Sequence, residues 1–78
     1  MALARALWKA GELRESLESY GRLIRSRAKM DDVMDDLQAY SEDRPGDPTL
    51  LRTLGDAHMK VGNLQTALEL FNRAMDLL

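Results

Sequence analysis

Four aspartates lie close together in the middle of the sequence, at positions 31, 32, 35 and 36. Carboxylates four residues apart share one face of a helix and could bind a cation. A calcium-binding loop, however, places its oxygen ligands on a turning backbone with glycine at the bend, and this segment has no glycine. The alternative is a solvated helix face, in which the first two aspartates favour the positive end of the helix dipole. We expect that alternative, and therefore no metal site.

The sequence contains one histidine, His58, and no cysteine. A transition-metal site needs several such ligands, and nucleophilic catalysis needs a serine or cysteine beside a base. No serine lies in a recognisable nucleophile turn. We therefore expect no enzyme activity and no cofactor, and we predict that His58 packs as a partly exposed side chain.

Basic residues cluster in the first half of the chain, at Arg22, Arg25, Arg27 and Lys29, with Arg14 nearby. Such a patch could hold an acidic peptide or a phosphate group. The alternative, which the sequence favours, is ordinary surface charge, partly answered by neighbouring glutamates and aspartates. The net charge of -2 and the pI of about 5.3 argue against a nucleic-acid or anionic-membrane partner.

The N-terminal segment and the single tryptophan allow two further expectations. Residues 1–10 include Arg5 and Lys9 and lack a long apolar core, so we predict neither a signal peptide nor a membrane span. Together with the absence of cysteine, this favours a cytoplasmic location. Trp8 is either an anchor for a partner or a packing residue of the first helical hairpin.

Apolar residues recur at helical spacing along the whole chain of 78 residues, and no window alternates like a strand. The pattern predicts an all-α fold of five helices without a sheet, in one domain over residues 1–78. We divide it into a hairpin at 2–27, a linking helix at 30–43 and a hairpin at 48–78. Gly11 and Gly62 end helices, Asp47 and Pro48 begin one, and Asn63 is a candidate cap for the last.

An internal match underlies this division. When the sequence is aligned with itself at a long shift, which places Gly11 opposite Gly62, the two ends of the chain match with eight identities in 27 pairs. A shorter shift, which places Gly21 on Gly55, gives few identities but keeps apolar residues aligned. The two shifts stand in the ratio three to two. Both therefore indicate one helical unit, half as long as the shorter shift, that is repeated along a stack.

The fourth and fifth helices carry the pattern Leu51-x-x-Leu54-Gly55-x-x-His58, followed by Gly62, Ala67-x-x-x-Phe71 and Ala74. This pattern resembles the tetratricopeptide repeat, a helix-turn-helix unit. The resemblance implies an α-solenoid of antiparallel helices, about two and a half repeats long. The residues expected to pack the repeats are Gly21, Leu54, Gly55, Ala67, Phe71 and Ala74.

Members of that family hold peptide segments of other proteins in a concave groove lined by the first helix of each pair. The resemblance therefore implies a non-catalytic scaffold that binds another protein or peptide. Together with the basic cluster, it gives these candidate groove residues: Arg22, Arg25, Arg52, Asp56, Met59 and Lys60.

The C-terminal helix supports an alternative function. Solenoids normally end in a polar capping helix. The main apolar stripe of the last helix, expected to face the core, consists of Leu64, Ala67, Leu68, Phe71, Ala74, Met75 and Leu78. Leu70 and Leu77 lie off this stripe, and Leu78 lies at its tip. Exposed apolar patches usually mark interaction surfaces. We therefore also predict a face for self-association at these three residues, with a homodimer or larger assembly as the alternative to groove binding.

Overall fold

The fold is all-helical, as the apolar spacing predicts. A computed structural model describes residues 1–78 and contains no strand. Its five helices are α1 (Ala2–Lys9), α2 (Leu13–Ser26), α3 (Met30–Asp43), α4 (Pro48–Lys60) and α5 (Leu64–Asp76). The all-α class and the five predicted helices are thus confirmed. None of the helices is both long enough and apolar enough to cross a membrane.

Caps and glycines set the helix boundaries. The Asp47 carboxylate accepts hydrogen bonds from the backbone N–H groups of Thr49 and Leu50, at 3.1 and 3.2 Å, and Pro48 occupies the first helical position. This predicted cap is confirmed. Gly11 and Gly62 have φ angles of 83° and 87°, the left-handed conformation that ends a helix with least strain.

The predicted side-chain cap at Asn63 is wrong. Asn63 occupies the N-cap position of α5, but its side chain makes no capping hydrogen bond. Its amide nitrogen lies 3.2 Å from Nδ1 of His58 instead. The His58 ring is half-buried, and this burial lowers its pKa below the ordinary value.

Each helix packs on its neighbours in the chain, and α2 also packs on α4. Twelve buried residues from all five helices form one core. The largest fully buried side chains are those of Tyr20, Leu37, Leu50, Leu51 and Leu54. Helix α1 contributes only Ala4 to this core, and Ser16 of α2 donates a hydrogen bond to the Ala4 carbonyl at 2.7 Å. A small residue at position 4 lets the backbones of α1 and α2 approach closely.

The pattern of buried residues repeats along the chain at the shorter of the two shifts. The shorter shift pairs buried residues with buried residues: Leu17 with Leu51, Tyr20 with Leu54, and Val33 with Ala67. The longer shift pairs several exposed residues with buried ones, such as Leu3 with Leu54, Ala6 with Ala57, and Leu68 with Leu17. In the shorter shift no buried residue of α2–α3 or α4–α5 meets an exposed one, so the burial patterns of the two pairs are similar, although the longer shift gives more identities.

Helices α4 and α5 share the most extensive contact, and Gly55 lies at its centre. A Cβ atom at Gly55 would lie 2.7 Å from the Phe71 ring, closer than real Cβ contacts. Gly21, its counterpart in the shorter shift, has no such neighbour, because the nearest atom is the Arg25 guanidinium at 4.0 Å. The expectation that Gly21 is a close-packing residue is therefore wrong. In the shorter shift, Leu37 stands where the second pair has Phe71.

A polar network joins α1 to α3, whose backbones do not contact each other. The Arg5 guanidinium donates to the Asp36 carboxylate at 2.7 and 3.2 Å. The Tyr20 hydroxyl donates to the same carboxylate at 2.8 Å, so Tyr40, whose hydroxyl lies 2.8 Å from that of Tyr20, donates to Tyr20. The Trp8 ring stacks on Tyr40 with centroids 3.9 Å apart.

This network shifts the pKa values of its members. Burial alone would raise the pKa of Asp36, but hydrogen bonds from Arg5 and Tyr20 outweigh burial and hold that pKa below its ordinary value. Burial, followed by the hydrogen bonds with Tyr40 and Asp36, raises the pKa of Tyr20 above its ordinary value. Both shifts favour one protonation state, an ionised Asp36 beside a neutral Tyr20.

We predict opposite effects for alanine at the two equivalent glycines. Gly21→Ala should stabilise the fold by about 0.5–1 kcal/mol, because alanine favours the helix and meets no neighbour. Gly55→Ala should destabilise it by about 1 kcal/mol, since overpacking of about 1–3 kcal/mol exceeds the gain in helix propensity. Chemical denaturation of each variant measures both free energies of unfolding.

The Phe71 ring should account for that difference. When Phe71 is already alanine, adding Gly55→Ala should no longer destabilise, because the clashing ring is gone. A Gly55→Ala variant more stable than the unchanged chain would contradict the close contact between α4 and α5.

We also predict that Asp36→Ala lowers the free energy of unfolding at pH 7 by about 1–2 kcal/mol, the cost of unsatisfied hydrogen-bond partners. Its folded pKa lies below the ordinary value of 3.8. The carboxylate therefore contributes stability that is complete above that value and is lost as the pH falls through the folded pKa. Thermal unfolding of both proteins should show the difference shrinking below about pH 4.

The exposed neighbour Asp35 provides the control for this experiment. Asp35→Ala should change stability by less than about 0.5 kcal/mol. An Asp36→Ala variant with the stability and acid sensitivity of Asp35→Ala would show that the network does not stabilise the fold.

Candidate functional site

A groove between α2 and α4 brings most of the predicted binding residues together. It is open to solvent, has a volume of about 440 Å³ and contains only one hydrophobic residue, Leu17, in its lining. Helix α2 contributes Arg14, Glu18, Gly21, Arg22 and Arg25, and helix α4 contributes Thr49, Arg52, Thr53 and Asp56. We call this surface the arginine groove.

The structure separates the six candidate groove residues into two groups. Arg22, Arg25, Arg52 and Asp56 line the arginine groove, whereas Met59 and Lys60 do not. Met59 and Lys60 are exposed in the last turn of α4, beyond the part of that helix that borders the groove.

Arg14 is predicted only as a neighbour of the basic cluster, and Glu18 is not predicted as a groove residue. A signal for both is present, because Arg14, Glu18, Arg22 and Arg25 are spaced by four, four and three residues. That spacing places them along one face of α2. The predicted cluster instead extends to Arg27 and Lys29, which lie in the turn after α2 and have φ angles of 56° and 51°.

The arginine groove has more positive than negative side chains, and none of them forms an ion pair. Four arginines face two carboxylates, those of Glu18 and Asp56. Neither of the two ion pairs in the structure includes a groove residue, because they join Arg5 to Asp36 and Arg44 to Asp47. Arg22 makes only a long hydrogen bond of 3.4 Å to Ser19. The groove is therefore cationic, although the whole chain has a net charge of -2.

Trp8 does not lie at this site. Its ring is half-buried against Tyr40 on the α1–α3 side of the molecule. Of the two alternatives left open for Trp8, the structure favours packing, and the packing extends beyond the first hairpin to α3.

A second surface, on α5, is apolar. Four large side chains are exposed there, three on α5 and one just beyond its end: Leu64 by 55%, Leu68 by 57%, Met75 by 69% and, after the helix, Leu78 by 94%. Phe71 lies among them and is half-buried. We call these five residues the outer stripe. The groove between the start of α4 and the end of α5 is lined by Phe71, Met75 and Leu78 of this stripe.

The expected self-association face is wrong at Leu70. Leu70 is buried, with 6% exposure, and belongs to the core together with Ala74. The contact of Phe71 with Gly55 fixes the rotation of α5 and turns Ala67, Leu70 and Ala74 inward. Leu77 is 47% exposed, on the opposite side of this buried face from Leu68. The exposed apolar surface of α5 is therefore the outer stripe, most of which the sequence pattern predicts as core.

The arginine groove and the outer stripe are adjacent but distinct. Thr49 and Arg52 of α4 border both the arginine groove and the apolar groove beside Met75 and Leu78. Helices α2 and α5 do not contact each other. Residues on α2 can therefore be changed without altering the outer stripe.

The fold places this chain among all-helical proteins. Comparison with known proteins found no match, whether to a family model, a curated protein or a solved structure.

Proposed function

We propose that this protein is a non-catalytic binding module that holds an acidic segment of another polypeptide in the arginine groove. The observation that carries this proposal is the set of four groove arginines without an ion-pair partner. A guanidinium presents its donors in a planar fork that matches a carboxylate. Several unpaired guanidinium groups along one groove favour a ligand with several carboxylates.

The shape of the groove also favours a polypeptide over a small ligand. The groove is open and its lining is almost entirely polar, whereas small-molecule sites are usually concave and mostly apolar. Binding would depend mainly on exposed charges, which solvent and salt screen. We therefore expect weak binding with a fast association rate and a strong dependence on ionic strength.

We further propose that the helices form a short tetratricopeptide-type solenoid. Support comes from the shorter shift, which pairs buried positions of α2–α3 with buried positions of α4–α5. In this register α2 and α4 are the first helices of successive pairs. First helices line the concave groove in the family that the sequence resembles, and α2 and α4 are the two helices that line the arginine groove.

A binding titration with a defined peptide tests the proposed function. The longest dimension of the protein is 29 Å, which an extended chain of about nine residues spans. A fluorescent peptide of that length, with glutamate at alternate positions, should bind with an anisotropy change. Arg25→Glu combined with Arg52→Glu should weaken binding at least tenfold, corresponding to about 1.4 kcal/mol or more.

Three controls define the specificity of that result. Lys9→Glu combined with Arg73→Glu makes the same charge change at exposed positions outside the groove, and it should reduce binding much less. A peptide with glutamine in place of glutamate should not bind. Equal losses in both double variants, or preferential binding of a single-stranded oligonucleotide, would contradict a groove for acidic polypeptides.

A further inference from the structure

The outer stripe has the spacing of a helix-pairing seam. Its five residues, from Leu64 to Leu78, follow one another at intervals of four, three, four and three. Apolar residues alternating at these intervals let one helix pack along another by inserting side chains between those of its partner. Within the chain, however, the stripe remains largely exposed, because Ala67, Leu70 and Ala74 form the buried face of α5.

The stripe is also nearly symmetric about Phe71. Leu64 and Leu78 lie seven residues to either side of Phe71, and Leu68 and Met75 lie three and four residues to either side. We propose that two copies of this chain associate through the outer stripe, as an antiparallel pair of α5 helices with Phe71 near the two-fold axis. Leu64 then meets Leu78 of the other copy, and Leu68 meets Met75.

The polar residues beside the stripe fit a symmetric pair. A two-fold interface brings the same surface of both copies together, so a charge close to the axis faces its own like charge. The positions that flank the stripe on its solvent side are Gln65, Asn72 and Asp76. The first two are uncharged, and Asp76 lies five residues from Phe71, away from the two-fold axis. Glu69 and Arg73 lie farther round the helix, away from the stripe. On this solvent side, two copies can therefore meet without like charges in the centre of the interface. On the other side of the stripe, Arg52 of α4 borders the groove beside Phe71, Met75 and Leu78.

The area of the outer stripe determines how tightly two copies are expected to associate. The chain exposes 4973 Å² of surface, and a stable interface of standard size takes about 800 Å² from each partner. One helix face of five large side chains provides roughly 500 Å², which corresponds to a weak, reversible complex. We expect dissociation in the range of about 10 µM to about 1 mM.

Sedimentation equilibrium over that concentration range tests the association. The average mass should rise from 8.8 kDa towards twice that value and stop there. Leu68→Glu combined with Met75→Glu places four carboxylates in the interface and should raise the dissociation constant at least about a hundredfold. Thr66→Glu combined with Gln38→Glu adds the same charge at exposed positions outside the stripe, and it should associate like the unchanged chain.

Three results would overturn the proposal: a monomer at every concentration, association that the stripe variant retains, or growth beyond two copies. Circular dichroism of each variant shows whether the helices remain folded, as we expect because the substituted side chains are exposed. The stripe variant should still bind the acidic peptide, so the failure of one proposal leaves the other separately testable.

Single cysteines test the antiparallel arrangement, because the chain has no cysteine of its own. Asn72 lies one residue from Phe71, so Asn72→Cys should form a disulfide-linked dimer on mild oxidation. Gln65 lies six residues from Phe71. At about 1.5 Å per residue, two copies of Gln65→Cys are separated by roughly 18 Å, too far for a disulfide. A Gln65→Cys dimer that forms as readily as the Asn72→Cys dimer would overturn the antiparallel arrangement.

Discussion

The close approach of α4 and α5 at Gly55 determines much of the surface of this protein. Because Gly55 has no side chain, the Phe71 ring lies against the α4 backbone, where a Cβ atom would be 2.7 Å away. This contact fixes the rotation of α5 about its own axis. Ala67, Leu70 and Ala74 turn into the core as a result, and larger side chains of the same helix turn outward.

Sequence reasoning recovers the helices and misjudges their faces. Glycine, proline and the Asp47 cap act within one turn of the chain, so they mark helix ends reliably. Apolar residues, in contrast, cover about half the circumference of α5, and hydrophobicity alone cannot decide which part of so wide a face is buried. The sequence pattern therefore places Leu70 outside and Leu68 inside, and only the contact between Phe71 and Gly55 resolves the choice.

The internal repeat illustrates the same difficulty. The longer shift gives more identities, and these include the turn glycines Gly11 and Gly62, which both adopt the left-handed conformation. The identity of Gly11 and Gly62 reflects two similar turns. The shorter shift aligns residues that share an environment, such as Leu17 and Leu51. The contact of Trp8 with Tyr40 joins residues far apart in sequence, and no local pattern predicts it.

The positions of the ion pairs explain how a chain with a net negative charge can present a cationic groove. Two aspartates form ion pairs, and both pair with arginines outside the groove: Asp36 with Arg5, and Asp47 with Arg44. Asp36 is further held by the Tyr20 hydroxyl, so it lies on the α1–α3 side of the molecule. The groove arginines on α2 and α4 form no ion pair, either with these aspartates or with Glu18 and Asp56 of the groove itself. Because net charge sums over all faces of a molecule, it argues only weakly against an anionic ligand when the two signs of charge occupy different faces.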